Sequence, residues 1–309
     1  IPLIEVTTAP KISTPEEAEK VALSIGKILK RTGRVKRGIG SIRQDLNISI
    51  RDGALTEVKG VQELNLISKV VEYEIQRQLT LLKIKEEMQN REVTEQDLKE
   101  EFHELTDIFK ETRCEIISKA IGIGGIVLAA KLQKMAGLLK IELEPNLRFG
   151  TELADRAKFY GDVGGLFHTD ELPGYGITQE EVDQLRSRLG SQSLDAIILV
   201  ADQPEKAEKA LKAVVVRLRE ALIGIPEETR AARLDGTTRY MRPRPGAARM
   251  YPETDVPPIT IPKDWLEKAG ETLPPPPEQL VINLMRDFNV NRKLAEQLVD
   301  SDYLILFKK

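Results

Sequence analysis

Two neighbouring predicted strands carry polar side chains of the kinds that bind phosphate groups and divalent metal ions. Between residues 41 and 50, apolar side chains alternate with polar ones, which indicates a strand with two unlike faces. The predicted returning strand, residues 55–61, adds Glu57 and Lys59. The polar face of the first strand consists of short groups that can orient a ligand, namely Arg43, Asp45, Asn47 and Ser49. The two strands therefore predict one polar surface with charges of both signs.

A third carboxylate, Glu5, interrupts an apolar run over residues 1–7 that predicts another strand. A carboxylate inside such a strand is costly to bury unless it is paired or bound to a metal. Mg²⁺ takes oxygen ligands, and cations neutralise phosphate oxygens, so these residue types are typical of a site for Mg²⁺ and a polyphosphate. The same types also form structural ion pairs, and both interpretations stay open at this point.

The turn between the two strands decides which of their residues share a face. Asp52-Gly53 is a hairpin signal, and a two-residue loop there would place Glu57 and Lys59 among isoleucines. Burying that pair would cost several kcal/mol, so a three-residue loop over 52–54 or a compensating bulge is favoured. Such a loop pairs Ser49 with Glu57 and turns both charges to the polar face.

Composition limits the class of protein. The chain has 309 residues, enough for two or three domains, and 46 Lys and Arg against 49 Asp and Glu give a net charge of −3. The charge-free apolar run at 120–130 is shorter than the roughly 20 residues of a membrane-spanning helix, so no membrane span is expected. The single cysteine, Cys114, predicts a reducing, cytoplasmic location. Because the chain starts with Ile1 inside an apparent strand, we expect it to be a piece of a longer protein.

Six arginines fall within 20 residues, at positions 230, 233, 239, 242, 244 and 249. Prolines at 243 and 245 fix the loop around Arg244, and Tyr240 and Tyr251 flank it. This pattern suits contact with phosphate or an RNA backbone better than a solvated helix face. Arg244 and Arg249 are the best candidates for that contact, because a fixed loop presents a charge at low entropy cost. Arg217 and Arg219 lie on a predicted helix and serve as surface comparisons.

Periodicity supplies the elements that must position these residues. A helix is predicted from Pro15 to about Arg31. A second helix is predicted from residue 64, because apolar residues recur at helical spacing at Ile67, Val71, Ile75, Leu79 and Leu82. A polar helical stretch is expected to continue from it to about residue 110. Residues 115–133 are predicted as a glycine-interrupted strand. His168 beside Asp170 and Glu171 suggests a metal ligand, but a polar turn is the commoner meaning.

Composition shifts near residues 146 and 240 and predicts a self-contained α+β insert between them. Within it, we expect helices over 151–160, 178–189 and 204–222 and strands over 164–167 and 196–201, with the two ends of the insert close together. The prolines at 274–277 form a stiff linker, and the residues beyond begin a helical region.

Four collinear segments of the chain, Pro2–Pro10, Gly40–Ser49, Glu57–Val61 and Met250–Pro257, share a common resemblance. They resemble the GatB/GatE family of tRNA-dependent amidotransferase kinase subunits, and most closely its archaeal branch. Two segments of the predicted insert, Phe149–Ala154 and Tyr160–Leu166, are similar to the GAD domain of bacterial-type aspartyl-tRNA synthetases.

This resemblance implies an α+β fold with a mixed β-sheet cradle like that of glutamine synthetase. The implied domains are a kinase cradle at 1–147 and 240–272, a GAD-like insert at 148–239 and the start of a helical domain at 278–309. It also implies a carbon–nitrogen ligase that uses ATP and Mg²⁺ in protein biosynthesis. Glutamate mischarged on tRNA(Gln) would be phosphorylated on its side chain and amidated with ammonia from an asparaginase-like amidotransferase partner in a hetero-oligomer.

The resemblance also assigns candidate roles. Glu5 matches a metal-ligand glutamate of the family, and the family's remaining metal ligands are expected before residue 1. The strand argument adds Glu57 at the metal and Arg43, Asp45 and Lys59 as catalytic or phosphate-contacting residues. The alternative is a non-catalytic module for tRNA binding and assembly, in which the carboxylates only hold strands together.

Overall fold

The structure is a computed structural model that describes residues 4–32, 34–36, 41–244, 259–273, 275–301 and 303–309. Its helices and sheets agree with the predicted α+β fold class. Contacts divide the chain into two units, residues 1–22 with 42–244 and residues 23–41 with 245–309.

The described elements follow in chain order. The helices are α1 (Pro15–Arg31), α2 (Ile67–Asn90), α3 (Glu115–Gly122), α4 (Phe149–Gly161), α5 (Gln179–Arg188), α6 (Pro204–Ile223), α7 (Lys263–Thr272), α8 (Pro277–Phe288), α9 (Arg292–Asp300) and α10 (Leu304–Phe307). The strands are β1 (Leu46–Ile48), β2 (Thr56–Lys59), β3 (Phe102–Glu104), β4 (Ile126–Leu132), β5 (Glu142–Glu144), β6 (Leu147–Arg148), β7 (Phe167–His168), β8 (Ala196–Asp202), β9 (Glu228–Ala232) and β10 (Thr238–Pro243).

The first unit contains a mixed four-stranded sheet with the order β1-β2-β9-β10. β2 and β9 are parallel, and the other neighbours are antiparallel. One face of this sheet packs on a small apolar core that includes Val58, Ile67 and Val70 from β2 and α2. We call this sheet the mixed sheet, and the residues on its other side form its open face.

A second, antiparallel sheet in the same unit has the order β3-β4-β8-β7. Its central strands are almost entirely apolar because helices cover both faces. The larger core packs α4 and α6 on one face, and a smaller core around Ile117 and Val182 packs α3 and α5 on the other. The sequence sets the start of α5 clearly, since Thr178 and Glu181 form a reciprocal capping box.

The second unit, as far as it is described, is helical. α8 begins with Pro277 in its first turn, where a missing N–H costs nothing. Leu280, Leu284 and Ala295 form a small core between α8 and α9. The helical region predicted beyond the proline linker is therefore present.

Several predicted elements differ from the structure. Residues 4–7 are not in a strand, and the predicted strand at 115–133 is a helix, α3, followed by β4. The short apolar α3 lacks the length that distinguishes a helix from a strand by periodicity. The polar stretch after 94 forms two 3₁₀ turns and β3 rather than a continuing helix, because Thr94 and Asp97 cap a single turn.

The apolar stripe of α2 is also offset from the predicted one. Leu79 of the predicted stripe is exposed, whereas Glu74, Arg77 and Gln78 lie on the buried side between Val70 and Leu81. A count of apolar residues alone places the buried side incorrectly when charged side chains neutralise one another inside the protein.

The boundary predicted at residue 148 does not separate two folding units. β8, inside the predicted insert, pairs along its whole length with β4, which lies before residue 148. Both strands are apolar on two faces, so each needs the other as a neighbour. The composition shift near 146 instead marks the tight β5–β6 turn, where Asn146 has φ 62°.

Candidate functional site

The open face of the mixed sheet carries a row of polar side chains that crosses all four strands. Pairing aligns Asn47 with Glu57, Glu57 with Thr229 and Thr229 with Arg242. A bulge between Tyr240 and Arg242 brings Arg242 opposite Thr229. Residues that are paired directly across strands share a face, so the sheet itself assembles this row.

Lys59 joins the two carboxylates of this face. Its Nζ lies 2.7 Å from Asp45 Oδ2 and 2.8 Å from Glu57 Oε1. Thr229 Oγ1 donates a 2.8 Å hydrogen bond to the other oxygen of Glu57. Arg242 is partly buried, and its Nε has no hydrogen-bond partner among the described residues. The face therefore holds two carboxylates, one bridging ammonium and a guanidinium with a donor to spare.

The structure confirms that Glu57 and Lys59 lie on the Asp45 face, but the register differs from the predicted one. Asn47, not Ser49, pairs with Glu57, so the three-residue loop is 51–53 instead of 52–54. Gly53 closes the turn by donating to Ile50 O at 3.1 Å. A Cβ at Gly53 would overlap Gln78 Oε1, which explains why glycine occupies the last loop position.

The ionisation of this cluster follows from its contacts. Partial burial raises the pKa of Glu57, but hydrogen bonds from Lys59 and Thr229 and the charges of Lys59 and Arg242 outweigh it and lower the pKa. Burial likewise disfavours charge on Lys59, and its bonds to Asp45 and Glu57 outweigh that effect and raise its pKa. Glu57 and Lys59 are therefore charged at neutral pH.

The opposite face of the same strands carries a buried charge network. It consists of four arginines and four glutamates: Glu74, Arg77, Glu144, Glu152, Arg156, Arg217, Glu228 and Arg230. Glu152 of α4 accepts hydrogen bonds from Arg77 Nη1 at 2.7 Å and Arg217 Nη2 at 2.6 Å. Arg230 Nη1 donates to Glu228 at 2.6 Å. The charges cancel in number, which permits their burial.

This network joins β9 and β10 to three helices, α2, α4 and α6. Arg230 Nε donates to Thr238 Oγ1 at 2.7 Å, and Thr238 in turn donates to Glu144. Burial raises the pKa of Glu152, but three surrounding arginines outweigh it and lower the pKa well below its usual range. The network was not among the features predicted from the sequence. Glu74 and Arg77 fall outside the apolar stripe predicted for α2, so the periodicity of the sequence carried no signal for the network.

The predicted arginine segment divides between these two environments. Arg230 belongs to the buried network, whereas Arg239 is exposed and Arg242 reaches the open face. Arg244 is exposed, with Nη1 3.2 Å from Glu227 Oε2, and Arg249 lies outside the described residues. Arg217, chosen as a surface comparison, is fully buried against Glu152, so only Arg219 remains suitable for that purpose.

The metal ligands predicted from the sequence are Glu5 and Glu57. Among the described residues no group of three His, Cys, Asp or Glu side chains lies close enough to hold a metal ion. Glu5 is exposed, and the described residues around it, 4–9, are not in a strand. A metal shared by Glu5 and Glu57 stays a prediction. Arg43 is exposed just before β1.

His168 is the last residue of β7 and leads into a polar turn. Its Nε2 lies 3.5 Å from Glu171 Oε2, and burial lowers its pKa despite that carboxylate. Asp170 accepts hydrogen bonds from the backbone N–H groups of Gly137 and Leu139. These contacts agree with a polar turn, the commoner of the two interpretations.

Comparison with known proteins agrees with the family resemblance. Three archaeal proteins, each named as a subunit of glutamyl-tRNA(Gln) amidotransferase, match essentially the whole chain. The protein of Pyrococcus furiosus is 53% identical over 100% of this chain and 49% of its own length, and that of Methanocaldococcus jannaschii is 52% identical over 100% of this chain and 49% of its own length. The protein of Aeropyrum pernix is 50% identical over 99% of this chain and 48% of its own length. The chain thus spans about half the length of these relatives. None of the helices in the described ranges has the length and apolar character needed to cross a membrane. A model of the GatB/GatE catalytic domain matches residues 1–267, and the chain belongs to that family.

Proposed function

We propose that the open face of the mixed sheet transfers the γ-phosphoryl group of ATP to the side-chain carboxylate of glutamate carried by tRNA(Gln). Ammonia from an asparaginase-like amidotransferase partner then forms Gln-tRNA(Gln). The observation that carries this proposal is the row from Asn47 to Arg242 with Lys59 beside it. The relatives are named as subunits of glutamyl-tRNA(Gln) amidotransferase, which supports the substrate and the hetero-oligomer.

The first step makes an acyl phosphate. A carboxylate oxygen of the glutamate forms a bond to the γ-phosphorus, and the bond from that phosphorus to the bridging oxygen of ADP breaks. Negative charge on the phosphoryl oxygens repels the attacking carboxylate and raises the energy of the transition state. Cations held in fixed positions beside these oxygens therefore contribute most to the rate. Lys59 and Arg242 supply two cations on the open face, and Arg43 and Arg244 are further candidates for phosphate contact.

The second step opens that acyl phosphate. The ammonia nitrogen attacks the carbonyl carbon, inorganic phosphate leaves, and nitrogen loses a proton to give the amide of glutamine. Asp45 and Glu57 lie at the open face, and each has one carboxylate oxygen bound to Lys59. Thr229 holds the second oxygen of Glu57, whereas the second oxygen of Asp45 is the better placed to accept a proton.

The open face offers two carboxylates that could hold a magnesium ion together with a bound nucleotide. Mg²⁺ in phosphoryl-transfer sites is commonly held by one or two carboxylates together with the phosphates of the nucleotide. Glu57 and Asp45 are the two carboxylates that this chain offers there, and no third acidic group in the described ranges completes a site without the nucleotide. When bound, Mg²⁺ would neutralise non-bridging phosphate oxygens.

Lys59→Met tests the proposal in the full-length protein together with its asparaginase-like partner. We expect phosphate release that depends on ATP and Glu-tRNA(Gln) to fall about 100-fold, the size typical of losing one fixed stabilising donor. Lys212→Met is the matched control, because Lys212 also forms a short ion pair, 2.6 Å from Glu208, but on the exposed side of α6. The control should retain full activity.

The alternative is a non-catalytic module for tRNA binding and assembly. The observation in its favour is that Lys59 is paired with both carboxylates and so ties β1 to β2. On that account, Lys59→Met weakens folding but leaves phosphate release per folded molecule unchanged. That outcome would replace the catalytic proposal with the binding module.

A further inference from the structure

Two adjacent aromatic side chains at the end of α4 are largely exposed. Phe159 is 52% and Tyr160 43% exposed, with their ring centres 4.9 Å apart in an edge-to-face arrangement. Single exposed apolar residues are common, but two neighbouring rings held in contact at the surface lose the hydrophobic stabilisation of burial. We propose that Phe159 and Tyr160 form a stacking platform for the single-stranded 3′-terminal bases of the tRNA, an inference that rests on the proposed function.

The platform is held rigidly from below by Tyr240 of β10. The hydroxyl groups of Tyr160 and Tyr240 are 2.8 Å apart, and the Phe159 and Tyr240 rings meet edge to face at 5.3 Å. The guanidinium of Arg156 lies 3.8 Å from the centre of the Tyr240 ring and pairs with Glu228 at 2.6 Å. The rings therefore need little ordering when a ligand binds, which lowers the entropy cost of binding.

The platform is linked to the open face through one strand. Tyr240 supports the platform on the buried side of β10, and its neighbours Arg239 and Arg242 pair with Ala231 and Thr229 on the open-face side. Lys158, directly before Phe159, is exposed and adds a cation. An RNA strand that passes around the edge of β10 would thus meet the aromatic rings on one side of the sheet and Arg239 and Arg242 on the other.

The chemistry favours single-stranded RNA as the occupant. Aromatic side chains bind unpaired bases by stacking without regard to sequence, and nearby cations bind the backbone. A surface for a hydrophobic protein partner would expose more apolar area than these two rings. It would also carry fewer charges, whereas Lys158 and Arg239 are exposed here. The proposed reaction requires the aminoacylated 3′ end to reach the open face, and the platform lies on the other side of β10, the edge strand of the mixed sheet.

The experiment uses the full-length protein with its asparaginase-like partner and tRNA(Gln) whose 3′-terminal adenosine is replaced by 2-aminopurine. Stacking on an aromatic ring quenches this base, so a fluorescence change on binding reports the contact itself. Phe159→Leu should abolish most of the quenching and weaken tRNA binding about tenfold, whereas Phe159→Trp should retain both. Tyr175→Leu is the control, since Tyr175 is 63% exposed elsewhere in the same unit.

The outcomes separate this inference from the proposed function. Phosphate release measured on the same preparations judges the proposed function, and quenching judges the platform. An active wild-type protein without quenching, or with equal quenching in Phe159→Leu, would overturn the platform. Loss of binding to the asparaginase-like partner in Phe159→Leu with unchanged tRNA binding would overturn it as well, and would make the surface a protein interface.

Discussion

The two faces of the mixed sheet use the same residue types in opposite ways. On the buried face, Glu228 and Arg230 are enclosed and are compensated by each other and by residues of α2 and α4. On the open face, Glu57 and Lys59 come from the adjacent strand and remain partly exposed. Residues of β9 alternate between the faces, so Thr229 supports Glu57 while its two neighbours hold the sheet to the helices. The comparison separates charges that maintain the fold from charges that are accessible to a ligand.

The largest expected effect is on the buried face. Glu152→Gln removes the charge shared by Arg77, Arg217 and Arg230, and we expect a loss of about 3 kcal/mol in the free energy of unfolding. The pKa of Glu152 is lowered in the folded state, so its contribution is present above the ordinary value of 4.5 and is lost as pH falls. Urea unfolding at several pH values measures both effects.

The control for this variant is Glu208→Gln. Glu208 also lies on a helix and pairs with a cation at 2.6 Å, but both partners are exposed. Its unfolding midpoint should equal that of the wild-type protein. Equal destabilisation by both variants would contradict the distinction between the buried network and ordinary surface pairs.

The second effect concerns activity on the open face. Glu57→Gln keeps the size of the side chain and removes the charge that positions Lys59, so phosphate release should fall about 100-fold with little change in the unfolding midpoint. Steady-state kinetics of the full-length complex and thermal unfolding are the measurements. A loss of stability in proportion to the loss of activity would mean that Glu57 only joins strands.

The smallest effect sharpens the comparison through Thr229. Thr229→Val keeps the shape of the side chain and removes the hydrogen bond that helps lower the pKa of Glu57. The pKa of Glu57 should therefore rise, and the acidic limb of the pH–rate profile should move to higher pH. Activity at the optimum should change less than in Glu57→Gln. An unmoved acidic limb would show that Glu57 does not control it.

Much of the open face was predictable from local sequence. Alternation along residues 41–50 and the cost of burying Glu57 and Lys59 among isoleucines were enough to assign the face of both residues. The exact register was not predictable, because loops over 51–53 and 52–54 give the same face. In the structure, the N–H of Ala54, directly after the 51–53 loop, donates to Gln78 Oε1 of α2 at 3.2 Å, so a partner 24 residues away in the chain helps to set the register.

By itself, the sequence determined which strands alternate, where α4, α5 and α6 lie, and which residues carry the family's motifs. These features depend on local periodicity and capping. Only the tertiary structure decided that Arg217 and Arg230 are buried and that β4 and β8 form one sheet across the predicted domain boundary. A charged side chain is buried only where distant partners neutralise it, and a sheet neighbour is chosen by the shape of the whole core. Neither condition is a property of any short segment.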